Sequence, residues 1–187
     1  NDVTFVFEVI DPVNDPHIIE YPERTVYLLD VVSNTVEFHK LPYEELKQVA
    51  TLIGVKCKTK ARVLDDWHEF MEFYRNTHTN EYTVSGEPIE GYVFEDSTGF
   101  MTKMKLNYYT FWKGLRILIN PLARQGYIRE TSRLTTPIMN YFYAFLKRCK
   151  EETGTLPSDN IIALRNAFLG SDEGVQFKDT ALCDYPE

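Results

Sequence analysis

Lys103 and Lys105 stand two apart in Met101-Thr102-Lys103-Met104-Lys105, and Glu90 stands near the head of Ile89-Glu90-Gly91-Tyr92-Val93-Phe94. Between the two stretches runs Glu95-Asp96-Ser97-Thr98-Gly99, a polar loop containing glycine, of the kind that closes hairpins. The spacing predicts two adjacent strands. Side chains alternate along a strand, so the two lysines project from one face. Two ammonium groups beside a carboxylate suit a phosphate and a divalent cation: lysines act as point charges on phosphate oxygens, and magnesium uses few protein ligands. The same residues also describe a solvated hairpin face with a cross-strand ion pair, a common and weak feature.

The elements that must position this hairpin are legible on either side. Residues 3–10 read as a buried strand, with Phe5, Phe7 and Val9 on one face and Thr4, Val6, Glu8 and Ile10 on the other. Glu8 is a lone acid in that apolar run, and an edge-strand glutamate facing water is the plain reading of it. Residues 11–16 form a turn region. Residues 17–21 and 24–32 read as a hairpin around Pro22-Glu23, and 35–39 as a short further strand. Pro42 opens a helix that Gly54 ends. Asp65-Asp66 start a second helix whose Trp67, Phe70, Met71 and Tyr74 form a core stripe at helical spacing. A base-stacking platform is the other reading of that stripe. His17, His39, His68 and His78 show no zinc-like spacing and read as structural or surface residues.

After the hairpin the pattern turns helical. Residues 108–120 form a helix with Trp112, Leu115, Leu118 and Ile119 on its apolar side and Pro121 just past its end. Lys113 and Arg116 lie on that helix, and Arg124, Arg129 and Arg133 follow. Thr136-Pro137 open a helix over 137–151 carrying Ile138, Tyr141, Phe142 and Phe145. Ser158-Asp159 cap a last helix over 160–169, stopped by Gly170, and the acidic tail is expected to be poorly ordered. Strands first and helices last is an α+β layout.

At 187 residues and 43% hydrophobic, the chain can bury a substantial core. Cys57, Cys149 and Cys183 are scattered and odd in number, so no disulfide framework follows and a reducing compartment is the default. No signal peptide and no membrane span is recognisable. The net charge of −8 hides an asymmetry. Residues 1–99 hold 8 basic and 19 acidic side chains (−11), residues 100–150 hold 10 and 1 (+9), and residues 151–187 hold 2 and 8 (−6). The basic block begins at the Lys103/Lys105 strand, and a local positive field attracts polyanions whatever the total charge.

Glu90-Gly91-Tyr92-Val93 followed by Lys103-Met104-Lys105 resembles motifs IV and V of the covalent nucleotidyltransferases, the DNA ligases, RNA ligases and capping enzymes. Thr4-Phe5-Val6-Phe7-Glu8-Val9-Ile10-Asp11-Pro12-Val13-Asn14 is similar to motif III of the phage RNA ligase 1 branch, and the stretch from His17 to Val31 continues the match. The resemblance covers roughly residues 1 to 125 and implies antiparallel β-sheets of the nucleotidyltransferase (ligase) fold followed by a small helical C-terminal module. Residues 1–106 would be the C-terminal part of the nucleotidyltransferase domain and 107–187 the helical domain. DNA ligases and capping enzymes continue into a small β-barrel at this point. The helical pattern here favours the RNA ligase 1 branch, with a DNA ligase or capping-type enzyme as the alternative. The resemblance further implies that Glu8 contacts the nucleotide ribose, that Lys103 and Lys105 serve the α-phosphate, and that Glu90 holds magnesium or manganese or positions the nucleotide. Tyr109 matches an aromatic kept near the nucleotide.

Motif I of that family is Lys-x-Asp-Gly, whose lysine becomes adenylated. No lysine of this chain is followed in that way. The chain is therefore expected to be a C-terminal piece of a longer ligase, unable by itself to form lysyl-AMP, with the nucleophile supplied by an N-terminal part. The expected cofactors are ATP, with AMP as the covalent intermediate, and the metal ion. The expected partners are RNA ends, cleaved tRNA among them, in RNA repair, with no membrane. The cytoplasm is the expected location, that of the host cell for a phage-encoded protein. Lys113, Arg116, Arg124, Arg129 and Arg133 are either RNA contacts or a solvated helix face. The rival reading is a non-catalytic RNA-end-binding or regulatory module with a ligase-like fold.

Overall fold

The computed structural model describes residues 2–15, 17–80, 83–84, 87–125, 137–158 and 160–179, with side chains for the same residues except 78–80, 83–84, 87–88, 117–125, 137–139 and 177–179. It is a mixed α and β structure with small, mainly antiparallel sheets and several helices. The chain divides into two compact units, Asn1–Asp65 and Asp66–Glu187.

In the first unit, β1 (Val3–Ile10) pairs antiparallel with β2 (Thr25–Ser33), and β2 pairs in parallel with the short β3 (Lys56–Cys57). Helix α1 (Tyr43–Ile53) begins after Pro42 and ends at Gly54, whose φ of 76° is the left-handed conformation that glycine adopts without penalty. The helix packs Leu46 and Ala50 on Leu28 and Val31 of β2 to make the core, with Leu41, Val49, Val55 and Cys57 around it. Across the same sheet Lys58 reaches Asp30 at 2.8 Å. Asp30 is buried, and its Oδ1 has no hydrogen-bond partner among the described residues.

Three expectations change here. The strand over 3–10 is formed, but it is the edge of its sheet and exposed along its whole length except Ile10. Its alternating aromatic and β-branched residues set the strand, not its burial. Residues 17–21 are not a strand. The partner of 24–32 is β1, although Ile18 and Ile19 are buried from an irregular segment. Prolines at 16 and 22 bracket that segment, and each lacks the N–H that a ladder needs. Residues 35–37 form bends and 38–39 are irregular, beside an isolated bridge, Val32 to Lys40, in place of a strand.

In the second unit, α2 (Trp67–Asn80) follows Asp66, whose side chain accepts a hydrogen bond from the Glu69 amide at 2.8 Å and caps the helix. Two minimal strands, β4 (Thr83–Val84) and β5 (Glu87–Pro88), precede the hairpin of β6 (Gly91–Glu95) and β7 (Met101–Lys105). Phe70 and Phe73 of α2 pack edge-on against Phe94 and Tyr92, at centroid distances of 4.9 and 5.2 Å. The inward stripe of α2 is thus Phe70, Phe73 and the buried Thr77. Trp67 is 72% exposed and Tyr74 36%, so the expected core stripe is rotated by part of a turn.

Helix α3 (Asn107–Gln125) runs through Pro121 where an end was expected. The proline removes one donor, but Leu122-Ala123-Arg124-Gln125 are strong helix formers and the helix continues. Helices α4 (Pro137–Thr153), α5 (Ile161–Leu169) and α6 (Asp172–Asp179) complete the unit. Trp112 of α3, Phe142 and Phe145 of α4 and Phe168 of α5 meet at edge-on and tilted angles, with centroids 5.1 to 6.1 Å apart for Trp112–Phe142, Trp112–Phe168 and Phe142–Phe168. The cap of α5 is Asn160, accepting from the amides of Ile162 and Ala163, and not the Ser158-Asp159 pair. Residues 172–179 form a helix where a poorly ordered tail was expected: Ser171 accepts from the Gly174 amide, and Arg148 forks both oxygens of Glu173 at 2.7 and 2.9 Å. The expected Thr136 cap and Cys183 lie outside the described residues.

Candidate active site

The hairpin register explains the site. Gly91 pairs with Lys105, Val93 with Lys103, and Tyr92 with Met104. Tyr92 and Phe94 lie on the face that α2 covers, while Val93 and Lys103 are exposed on the other. Glu90 precedes the strand, and its carbonyl accepts from the Leu106 amide at 2.9 Å, which ties it to the end of β7. A glycine is required next. A Cβ on Gly91 would lie 1.9 Å from the Met104 carbonyl oxygen and 2.9 Å from the Lys105 Cα, both backbone atoms. The close approach of β6 and β7 brings Glu90 to Lys105.

The ammonium of Lys105 is 2.5 Å from Oε2 of Glu90. It also lies 4.8 Å from the centre of the Tyr109 ring, in the first turn of α3. The Tyr109 hydroxyl donates to Glu90. Burial raises the Tyr109 pKa, the Glu90 charge and hydrogen bond raise it further, and Arg116 opposes them. The phenol therefore stays protonated and keeps donating. Lys113 places its ammonium 5.5 Å from the same ring centre. Lys103 is exposed and forms no ion pair among the described residues.

Glu90, Lys105 and Tyr109 are in contact, Lys103 shares the exposed face of the hairpin, and Lys113 and Arg116 border the cluster. Glu8 is an exposed residue of β1 opposite Tyr27, which is itself in register with Lys56. Arg124 falls in α3 with its side chain outside the described residues, and Arg129 and Arg133 lie outside them altogether. The Asp30–Lys58 pair was not anticipated, although Asp30 gives the same signal as Glu8, a lone acid in an apolar strand. Among the described residues no group of three or more His, Cys, Asp or Glu side chains could hold a metal ion. The single carboxylate of the cluster fits a magnesium ion held chiefly by substrate phosphates and water, and no all-protein cage.

A family model described as RNA ligase, of the phage T4 RNA ligase 1 type, matches residues 1–109. The chain belongs to this RNA ligase family. The matched span of the ligase model takes in Glu8, the whole hairpin and Tyr109, and ends there, so Lys113 and Arg116 lie beyond it. Family membership supports RNA substrates and a ligase-related function. No curated protein matches the chain. No helix among the described residues is long and apolar enough to cross a membrane.

Proposed function

We propose that this chain is the motif III to motif V part of an ATP-dependent RNA ligase of the nucleotidyltransferase fold, acting in RNA repair. The observation that carries the reading is the Glu90–Lys105–Tyr109 cluster, built by the hairpin inside the span the ligase family model matches. We assign residues 1–106 to the nucleotidyltransferase domain and 107–187 to a helical C-terminal module.

The chemistry is three transfers at phosphorus. A lysine nitrogen, supplied from outside this chain, attacks the α-phosphorus of ATP, forming a P–N bond while the bond to pyrophosphate breaks. An oxygen of the RNA 5′-phosphate then attacks that phosphorus and the P–N bond breaks, giving RNA capped by a 5′–5′ pyrophosphate. A 3′-hydroxyl loses its proton and attacks the RNA 5′-phosphorus, AMP leaves, and a phosphodiester remains. Charge shifts among phosphoryl oxygens in every step, so preorganised cations are the main device. Lys103 and Lys105 supply them. Glu90 and Tyr109 hold Lys105 in place, Glu90 is the residue for magnesium or manganese, and Glu8 takes the ribose. The bound ion would neutralise phosphate charge.

The test follows the label from α-labelled ATP in the full-length product of the reading frame, with 5′-phosphorylated RNA. Label should appear on protein, then on RNA, then as free AMP as the strand is sealed, while the 187-residue chain alone stays unlabelled. Protein that never labels, or that passes label to DNA ends and not to RNA, overturns the reading.

A further inference from the structure

We propose that Lys113 and Arg116 form a phosphate-binding rail for the 5′-phosphorylated RNA strand, contacting the backbone just beyond its terminal phosphate. The proposal rests on the ligase reading of the hairpin. Tyr109, Lys113 and Arg116 fall at i, i+4 and i+7 and make one stripe along α3. The adjoining face of the helix carries Trp112 and Leu115, which are 0% and 1% exposed. Trp112 is packed on Phe142 and Phe168, and that fixes the rotation of the helix. Lys113 and Arg116 are exposed as a result.

Two lysines share one ring. Lys105 is 4.8 Å and Lys113 5.5 Å from the Tyr109 centroid, and Arg116 is near enough to pull against the raised Tyr109 pKa. A ring face and a neighbouring cation are modest company for an ammonium. Lys105 has Glu90 to neutralise it. Lys103, Lys113 and Arg116 have no ion pair among the described residues, and none of the three has a contact left unnamed. The hairpin face and the stripe of α3 together therefore hold four cations against two carboxylates, Glu90 and Glu95, in a protein whose net charge is −8. Such a local excess favours a polyanion. Lys113 and Arg116 continue away from the hairpin, about 4.5 Å of helix rise apart. A compact triphosphate at Lys103 and Lys105 would not need them, whereas a chain of phosphates running past the hairpin would.

The experiment measures binding of a 3′-fluorescein, 5′-phosphorylated single-stranded oligoribonucleotide to the 187-residue chain, by anisotropy, from about 50 to about 200 mM salt. Each of Lys113→Ala and Arg116→Ala should make the slope of log affinity against log salt shallower by about 0.7, and the double variant by about 1.4. Lys113→Arg should restore the slope of its position. Lys147→Ala, an exposed change on α4, should leave it unaltered. ATP displacement from the double variant should match the unsubstituted chain. An unchanged slope in the double variant, no RNA binding at all, or weakened ATP binding with an intact RNA slope each overturns the rail. None of these results depends on AMP transfer, so the ligase reading fails or survives separately.

Discussion

The carboxylate of Glu90 and the ammonium of Lys105 meet at 2.5 Å across the hairpin, although fourteen residues separate them in sequence. Neither side chain is deeply buried, with relative exposures of 25% and 39%, so the pair contributes little stability in its own right. Its effect is positional. It fixes where one cation of the site stands, against a ring that is itself held by the same carboxylate.

That geometry depends on Gly91. Replacing it by alanine puts a methyl group into the Met104 carbonyl, and backbone must move to relieve the clash. Gly91→Ala should destabilise the hairpin by about 1–3 kcal/mol or more. Amide exchange at Leu106, whose N–H is bonded to the Glu90 carbonyl, should quicken, and AMP transfer by the full-length enzyme should fall with it. Unchanged exchange at Leu106 would show that the strands do not approach this closely.

Tyr109 offers a two-part test. Tyr109→Phe keeps the ring beneath Lys105 and Lys113 and loses only the hydroxyl that donates to Glu90. A hydrogen bond to a charged acceptor is worth about 1.5–3 kcal/mol, so kcat/KM for sealing should drop roughly tenfold to a hundredfold. Tyr109→Ala removes the ring as well and should cost more. Equal losses in the two variants would mean that the hydroxyl alone matters.

The helices after the hairpin have their own acid-sensitive pair. The Arg148 guanidinium holds the Glu173 carboxyl down at about 2, from an ordinary 4.5. A depressed folded-state pKa stabilises the fold fully above the unfolded value and loses that contribution as pH falls through the folded one. The thermal midpoint should therefore decline between about pH 4.5 and pH 2 more steeply in the unsubstituted chain than in Glu173→Gln. Parallel pH profiles would remove the pair from the stability of α6.

Trp112 is the centre of the aromatic cluster of α3, α4 and α5, fully buried against Phe142 and Phe168. Trp112→Ala should cost about 3–5 kcal/mol in urea unfolding. Trp112→Phe should cost less, since it keeps much of the ring contact and removes an indole N–H that is buried without a partner among the described residues. A loss for alanine no larger than that for phenylalanine would contradict this packing.

The hairpin could be read in advance because strand alternation, a Gly-containing loop and a charged face are all local signals, and β6 and β7 stand where they were expected. Helices α1 to α5 were legible too, since apolar spacing and caps such as Gly54 are written within a few residues, whereas α6 and the passage of α3 through Pro121 were not. What was not legible depends on distant partners. Nothing near residues 24–32 says that their neighbour is β1 and not 17–21. The exposure of β1 is set by its place at a sheet edge. The turn of α2 that faces Phe73 inward in place of Trp67 is chosen by Tyr92 and Phe94, some twenty residues on. Within the site, residue types gave Glu90, Lys103 and Lys105, and the family resemblance gave Tyr109, but that Lys105 and Lys113 share one ring follows only from the junction of β7 with α3.

The central claim is that the lysine face of this hairpin carries phosphoryl charge during AMP transfer. Its most direct test is the single-turnover rate at which the full-length enzyme moves labelled AMP to a 5′-phosphorylated RNA, compared between the unsubstituted protein and Lys103→Ala or Lys105→Ala. A preorganised charge of this kind is worth on the order of 3 kcal/mol, so each variant should be slower by at least about a hundredfold. Transfer at close to the unsubstituted rate in both variants would contradict the account.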